Sequence, residues 1–131
     1  MKILGVDHIG IMCADVNAAS LHYGKKIGLE TESFLFSEKF GCKIAMVPCG
    51  SLKLELMEPA KTGAGRDWLN SHGEGIHHIC YIVTDLEAAY REAVALGADR
   101  EDGLIMSAEG KQVFFMKAGE LNGVISEFVQ A

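Results

Sequence analysis

Three features of this 131-residue sequence predict an α+β fold of two βαβββ modules in tandem. The first is internal repetition. The stretch 75–89, GIHHICYIVTDLEAA, repeats the pattern of residues 7–19, DHIGIMCADVNAA, so that His8 and His78, Asp15 and Asp85, and Ala18 and Ala88 each stand 70 positions apart. Self-similarity at one fixed offset is the mark of two copies of one supersecondary unit. The second feature is that each copy passes from period-two alternation to a capped helical stripe. The third is that short alternating runs, separated by glycines, follow each stripe.

Residues 2–13 alternate and are rich in Ile, Val and Met, which predicts a strand with Val6, His8, Gly10 and Met12 on one face and Ile9 and Ile11 on the other. Asp15 is the expected N-cap of a helix in which Val16, Ala19, Tyr23 and Ile27 share a stripe that Gly28 ends. Strands are expected over 29–36, 42–48 and 51–58, broken at Gly41 and Cys49-Gly50. In the last of them Leu52, Leu54 and Leu56 form one face, so Glu55 stands on the side away from the leucines, where a carboxylate needs solvent or a cation.

Residues 61–75 form a glycine-bearing linker with a short helix over 66–71. The second module opens with a strand over 76–83, followed by a capping box, Thr84-Asp85-Leu86-Glu87. Its helix places Leu86, Ala89, Tyr90, Ala93 and Leu96 on one stripe and stops at Gly97. Three strands follow near 99–106, 111–117 and 123–130, so modules of about 1–60 and 76–131 make up one domain, 1–131.

A net charge of -6 with scattered Lys and Arg points away from nucleic acid, whose phosphates require a dense basic face. No apolar run approaches the roughly 20 residues of a membrane span, and no signal-peptide pattern opens the chain. Cys13, Cys42, Cys49 and Cys80 show no CxxC spacing, three of them lie in apolar runs, and all are expected to be reduced thiols in a cytoplasm. The expected partner is a small molecule.

The candidate chemistry lies in positions that recur. Glu127 in GVISEFVQ takes the place in the second copy that Glu55 takes in the first, at an offset of 72, and His78 matches His8. A single strand His is more often a hydrogen-bonded structural residue than a ligand, and a single strand Glu is usually solvated. Two matched pairs are another matter: packed about a pseudo-twofold axis, His8, His78, Glu55 and Glu127 converge into an N/O site for a divalent first-row ion with positions left open. His77 and Asp7 alternate with His78 and His8 and are expected on the opposite face, so His77 reads as a packing residue or one that supports a ligand from behind, and Asp7 is not assigned as the partner of His8. His22 reads as solvated, and His72 lies in the linker.

The paired βαβββ modules with DHIGI, LELMEP, WLNSHGEGIHHI and GVISEF resemble the vicinal oxygen chelate superfamily, and within it the methylmalonyl-CoA epimerases, over nearly the whole chain. The resemblance implies curved mixed sheets forming a half-barrel around a metal site, a homodimer, and metal positions at His8, Glu55, His78 and Glu127. Two departures stand out. The His-Pro-Lys-Ser/Thr stretch of such epimerases is replaced by Lys117-Ala118-Gly119-Glu120, and the family's second catalytic Glu, just before a Gly, is matched only by Glu38 in SEKFG, one residue out of place.

Such a site takes a substrate with vicinal oxygens. Chelation stabilises the enolate left when an α-proton departs, with Glu127 as first candidate for the base and Glu38 for the other face. Co, Ni, Mn, Zn and Fe all suit the ligands. A glyoxalase I-type lyase, a metal-free antibiotic-binding protein of the same fold and an iron dioxygenase are the alternatives. Four retained ligand types weigh against the last two.

Overall fold

The computed structural model describes residues 1–131. It contains strands β1 (Ile3–Met12), β2 (Ser33–Ser37), β3 (Cys42–Cys49), β4 (Leu52–Glu58), β5 (Gly75–Val83), β6 (Ile105–Met106), β7 (Gln112–Met116) and β8 (Ile125–Gln130). Helices α1 (Val16–Ile27), α2 (Ala64–His72) and α3 (Leu86–Ala95) lie between them, giving the expected α+β succession of two βαβββ modules. No helix is long and apolar enough to cross a membrane. By contacts the chain divides into two compact units, one of Met1–His8 with His78–Ala131 and one of Ile9–His77.

In the first unit β5 and β8 pair in parallel, β8 and β7 antiparallel, and β7 and β6 antiparallel, a mixed arrangement. Alternation sorts the side chains into two faces. Tyr81, Val83, Phe114, Met116 and Phe128 pack with Leu86, Ala89 and Ala93 of α3, while Cys80, Ile82, Val113, Phe115 and Val129 gather on the other side. In the second unit β2, β3 and β4 form an antiparallel meander. Ala45, Val47, Leu54 and Leu56 pack with Val16, Ala19 and Tyr23 of α1, leaving Glu55 and its cross-strand neighbour Met46 on the face away from the helix.

Local chemistry accounts for the element ends. Asp15 and Asp85 cap α1 and α3, each side chain accepting from the backbone N–H three residues on, Ala18 and Ala88. α1 ends at Gly28, whose φ of 75° is a left-handed conformation that suits glycine. Gly41 is also left-handed, and a Cβ there would come within 2.9 Å of the Ala60 methyl.

Several boundaries differ from expectation. β2 begins at Ser33, not 29, because Leu29 N–H closes the helix end onto the Tyr23 carbonyl. The expected capping box does not form: Asp85 itself is the N-cap, so Thr84 lies outside the helix and Glu87 is one residue early for the box. Ile27 and Leu96 end their stripes exposed. The strand expected over 99–106 is reduced to a bridge at Arg100 and the two residues of β6.

Candidate active site

The strand registers of the first unit bring the candidate residues to one face. On β5, His78 and Cys80 share a side. Cys80 is the register partner of Glu127 on β8, and Glu127 is that of Phe115 on β7, so Glu127 stands among the side chains opposite α3. His8, in β1, completes the group. His8 Nε2 lies 3.1 Å from His78 Nε2 and 3.1 Å from Glu127 Oε2, and His78 Nε2 lies 3.1 Å from the same oxygen. All three residues are buried, at 3–4% exposure. The His8 and His78 rings meet edge to face with centroids 5.2 Å apart, and the Phe115 ring stands 6.1 Å from that of His78.

Two imidazole nitrogens and a carboxylate oxygen at mutual contact need a ring proton or a cation between them, because bare lone pairs would repel. Burial alone would push the Glu127 carboxyl up. Hydrogen bonds from His78 and His8 outweigh it and bring the carboxyl down to about 2. The spacing also suits a metal ion, because donors at right angles and about 2.1 Å from an ion lie about 3.0 Å apart. The donor set fits the divalent first-row ions expected from the sequence.

Asp7 is where sequence reasoning failed. Its carboxylate Oδ2 lies 2.7 Å from His8 Nδ1, making it the hydrogen-bond partner that strand alternation had seemed to rule out. Alternation fixes where Cβ leaves the backbone. The ring nitrogen nearest the main chain can still come within reach of the carboxylate next door. The signal was present as the acid adjoining His8 in DHIG. Cys80 adjoins this pair, and burial pushes its thiol up to about 12.

The remaining candidates lie in the second unit. Glu55, in the middle of β4, is 8% exposed and faces away from α1, as Glu127 faces away from α3. Glu38 is exposed in the turn joining β2 and β3. His77 packs edge to face on Trp68, the packing role expected of it, while exposed His72 stacks on the same indole at 4.4 Å. His22 is exposed on α1.

A model of the Glyoxalase/Bleomycin resistance protein/Dioxygenase superfamily matches residues 7–115. The chain is 32% identical to an ethylmalonyl-CoA/methylmalonyl-CoA epimerase of Cereibacter sphaeroides, over 95% of this chain and 96% of that one. It is 27% identical to the mitochondrial methylmalonyl-CoA epimerase of Homo sapiens, over 96% of this chain and 73% of the relative. Among solved structures, a methylmalonyl-CoA epimerase variant of Streptomyces coelicolor in complex with 2-nitronate-propionyl-CoA superposes with a TM-score of 0.91 at 28% identity, over 99% of both chains. With its paired βαβββ modules and a family match covering most of its length, the chain belongs to the glyoxalase/bleomycin resistance/dioxygenase superfamily, the vicinal oxygen chelate proteins.

Proposed function

We propose that this protein is a divalent-metal-dependent epimerase that removes and returns the proton α to a carbonyl of methylmalonyl-CoA or a similar acyl-CoA. The observation that carries the reading is the buried trio His8, His78 and Glu127, whose donor atoms stand 3.1 Å apart. The epimerase relatives support the substrate class. His8, His78 and Glu127 would hold the ion, and Glu55 is proposed as fourth ligand on its matching place in the repeat and its burial.

When bound, the ion supplies Lewis acidity toward a chelated carbonyl, which makes the adjacent C–H bond acidic. The residues do the rest. Glu127 is an anion at any working pH, as both a ligand and a proton acceptor must be. Its low proton affinity is a cost, since a base works best with a pKa near the working pH. The second face of the α-carbon needs its own acid or base, and exposed Glu38 is our candidate. Fully buried Cys80 and half-buried Phe115 flank Glu127, itself 3% exposed, and leave water little access to the anion.

Metal content tests the ligand assignment. The purified chain should take up stoichiometric cobalt or manganese, Glu55→Gln and Glu127→Gln should weaken its affinity by about tenfold or more, and His8→Ala and His78→Ala should weaken it further. Wild-type affinity in both His variants would mean that the ligands lie elsewhere. The 2-His-1-carboxylate trio also favours a second reading, a non-haem iron oxygenase. Oxygen consumption by the iron-loaded protein would distinguish that chemistry.

A further inference from the structure

His8 uses both ring nitrogens. Nε2 faces His78 and Glu127 at 3.1 Å, and Nδ1 faces Asp7 Oδ2 at 2.7 Å. A neutral imidazole has one N–H and one bare lone pair, and an ionised carboxylate can only accept. With a cation in the cluster, the one proton of a neutral His8 therefore belongs on Nδ1, bonded to Asp7, and the Nε2 lone pair faces the cation in place of the Nε2–H that Glu127 accepts in its absence. We propose that Asp7 is a positioning residue that fixes the His8 ring and tautomer so that a bare Nε2 is presented to a divalent cation held with His78 and Glu127.

Three further observations carry this. The side chains of His8 and Asp7 are only 5% and 19% exposed, so water competes poorly for the bond. Because the two residues are neighbours on β1, the strand already orders both and little additional entropy is lost in holding the pair. Asp7 also sets a second carboxylate against His8, at the ring nitrogen opposite the one that faces Glu127, which adds negative charge beside any cation in the cluster. Metal-bound histidines generally donate their other N–H in this way, and loss of the acceptor weakens metal affinity by about 10- to 100-fold.

The inference rests on the metal reading, and its test separates the two. Cobalt affinity is measured by chelator competition for the wild type, Asp7→Ala, Asp7→Asn, His8→Ala and the Asp7→Ala/His8→Ala double variant, with the fold checked by circular dichroism. Asp7→Ala should lose about 10- to 100-fold in affinity. Asp7→Asn should recover part of that loss, because its amide oxygen still accepts from Nδ1–H. On the His8→Ala background the Asp7 change should cost nothing more, a pattern that a general loss of stability does not produce. Wild-type affinity in Asp7→Ala, or an equal further loss in the double variant, overturns the proposal.

Nitrogen NMR of the metal-free imidazoles supplies an independent reading. His8 should be protonated at Nδ1 in the wild type, whatever Nε2 carries, and drift toward the Nε2–H form in Asp7→Ala, or in Asp7→Asn if the alanine variant does not fold. A wild type that takes up no cobalt would sink the metal reading. The NMR result would then decide on Asp7 alone, with a changed tautomer upholding its hold on His8 and an unchanged one overturning it.

Discussion

Glu127 is ionised in the folded chain because two imidazole hydrogen bonds outweigh burial, so its carboxyl titrates at about 2 in place of 4.5. A folded value below the unfolded one means that the unfolded chain binds the proton more readily as acid is added. The stabilisation is therefore complete above about pH 4.5 and drains away as pH falls toward 2. At neutral pH it is on the order of 3 kcal/mol in the metal-free protein. Urea midpoints measured from about pH 6 down to about pH 3 should fall more steeply for the wild type than for Glu127→Gln, and parallel curves would take Glu127 out of the linkage. Burial has the opposite use at the thiols, holding Cys13 up to about 11 and Cys80 up to about 12. Iodoacetamide should thus label half-exposed Cys49 well before either, and prompt labelling of Cys80 would contradict its burial. At this scale the sequence revealed residue types and faces, which is why His8, His78 and Glu127 were legible. It did not reveal rotamers, and the bond from His8 to Asp7 depends on one.

At the scale of elements, the helices were the most legible parts, because their signals are local. Asp15, Gly28 and Asp85 act within one turn of where they stand in the chain. Asp15→Ala and Asp85→Ala should each cost about 1 kcal/mol and add nearly independently, while Thr84→Ala should cost little because Asp85 holds the cap. Thermal unfolding of the three variants and one double variant measures this. A Thr84→Ala loss as large as that of Asp85→Ala would restore the capping box. The strand before β6 was the least legible, since its pairing is long-range. Arg100 opposes Met116 and Ile105 opposes Val113, so the outer segment takes five steps where β7 takes three and two residues are extruded. The extrusion falls at Asp102-Gly103, where Gly103 has a φ of 73°. Nothing in periodicity alone distinguishes such a bulge from a continuous strand.

For the whole molecule, the repeat carried most of the prediction. A carboxylate on the helix-free face recurs at Glu55 and Glu127, and each is buried in its own unit, a correspondence that a single reading of either strand would not supply. The cores were legible as alternating runs, though not their layering. Phe114, fully buried between Tyr90 and Phe128, should cost about 3–5 kcal/mol on truncation to Ala, and a markedly smaller loss in chemical denaturation would mean that the α3 layer is looser than described. We propose above that the chain performs metal-assisted α-proton transfer. Its most direct test is deuterium incorporation at the α-carbon of methylmalonyl-CoA in heavy water with the cobalt-loaded protein. Chelator should abolish the exchange and Glu127→Gln should reduce it by about 100-fold or more, within the usual range for removing a general base. Exchange that persists without metal, or no exchange by a protein with cobalt bound, would contradict it.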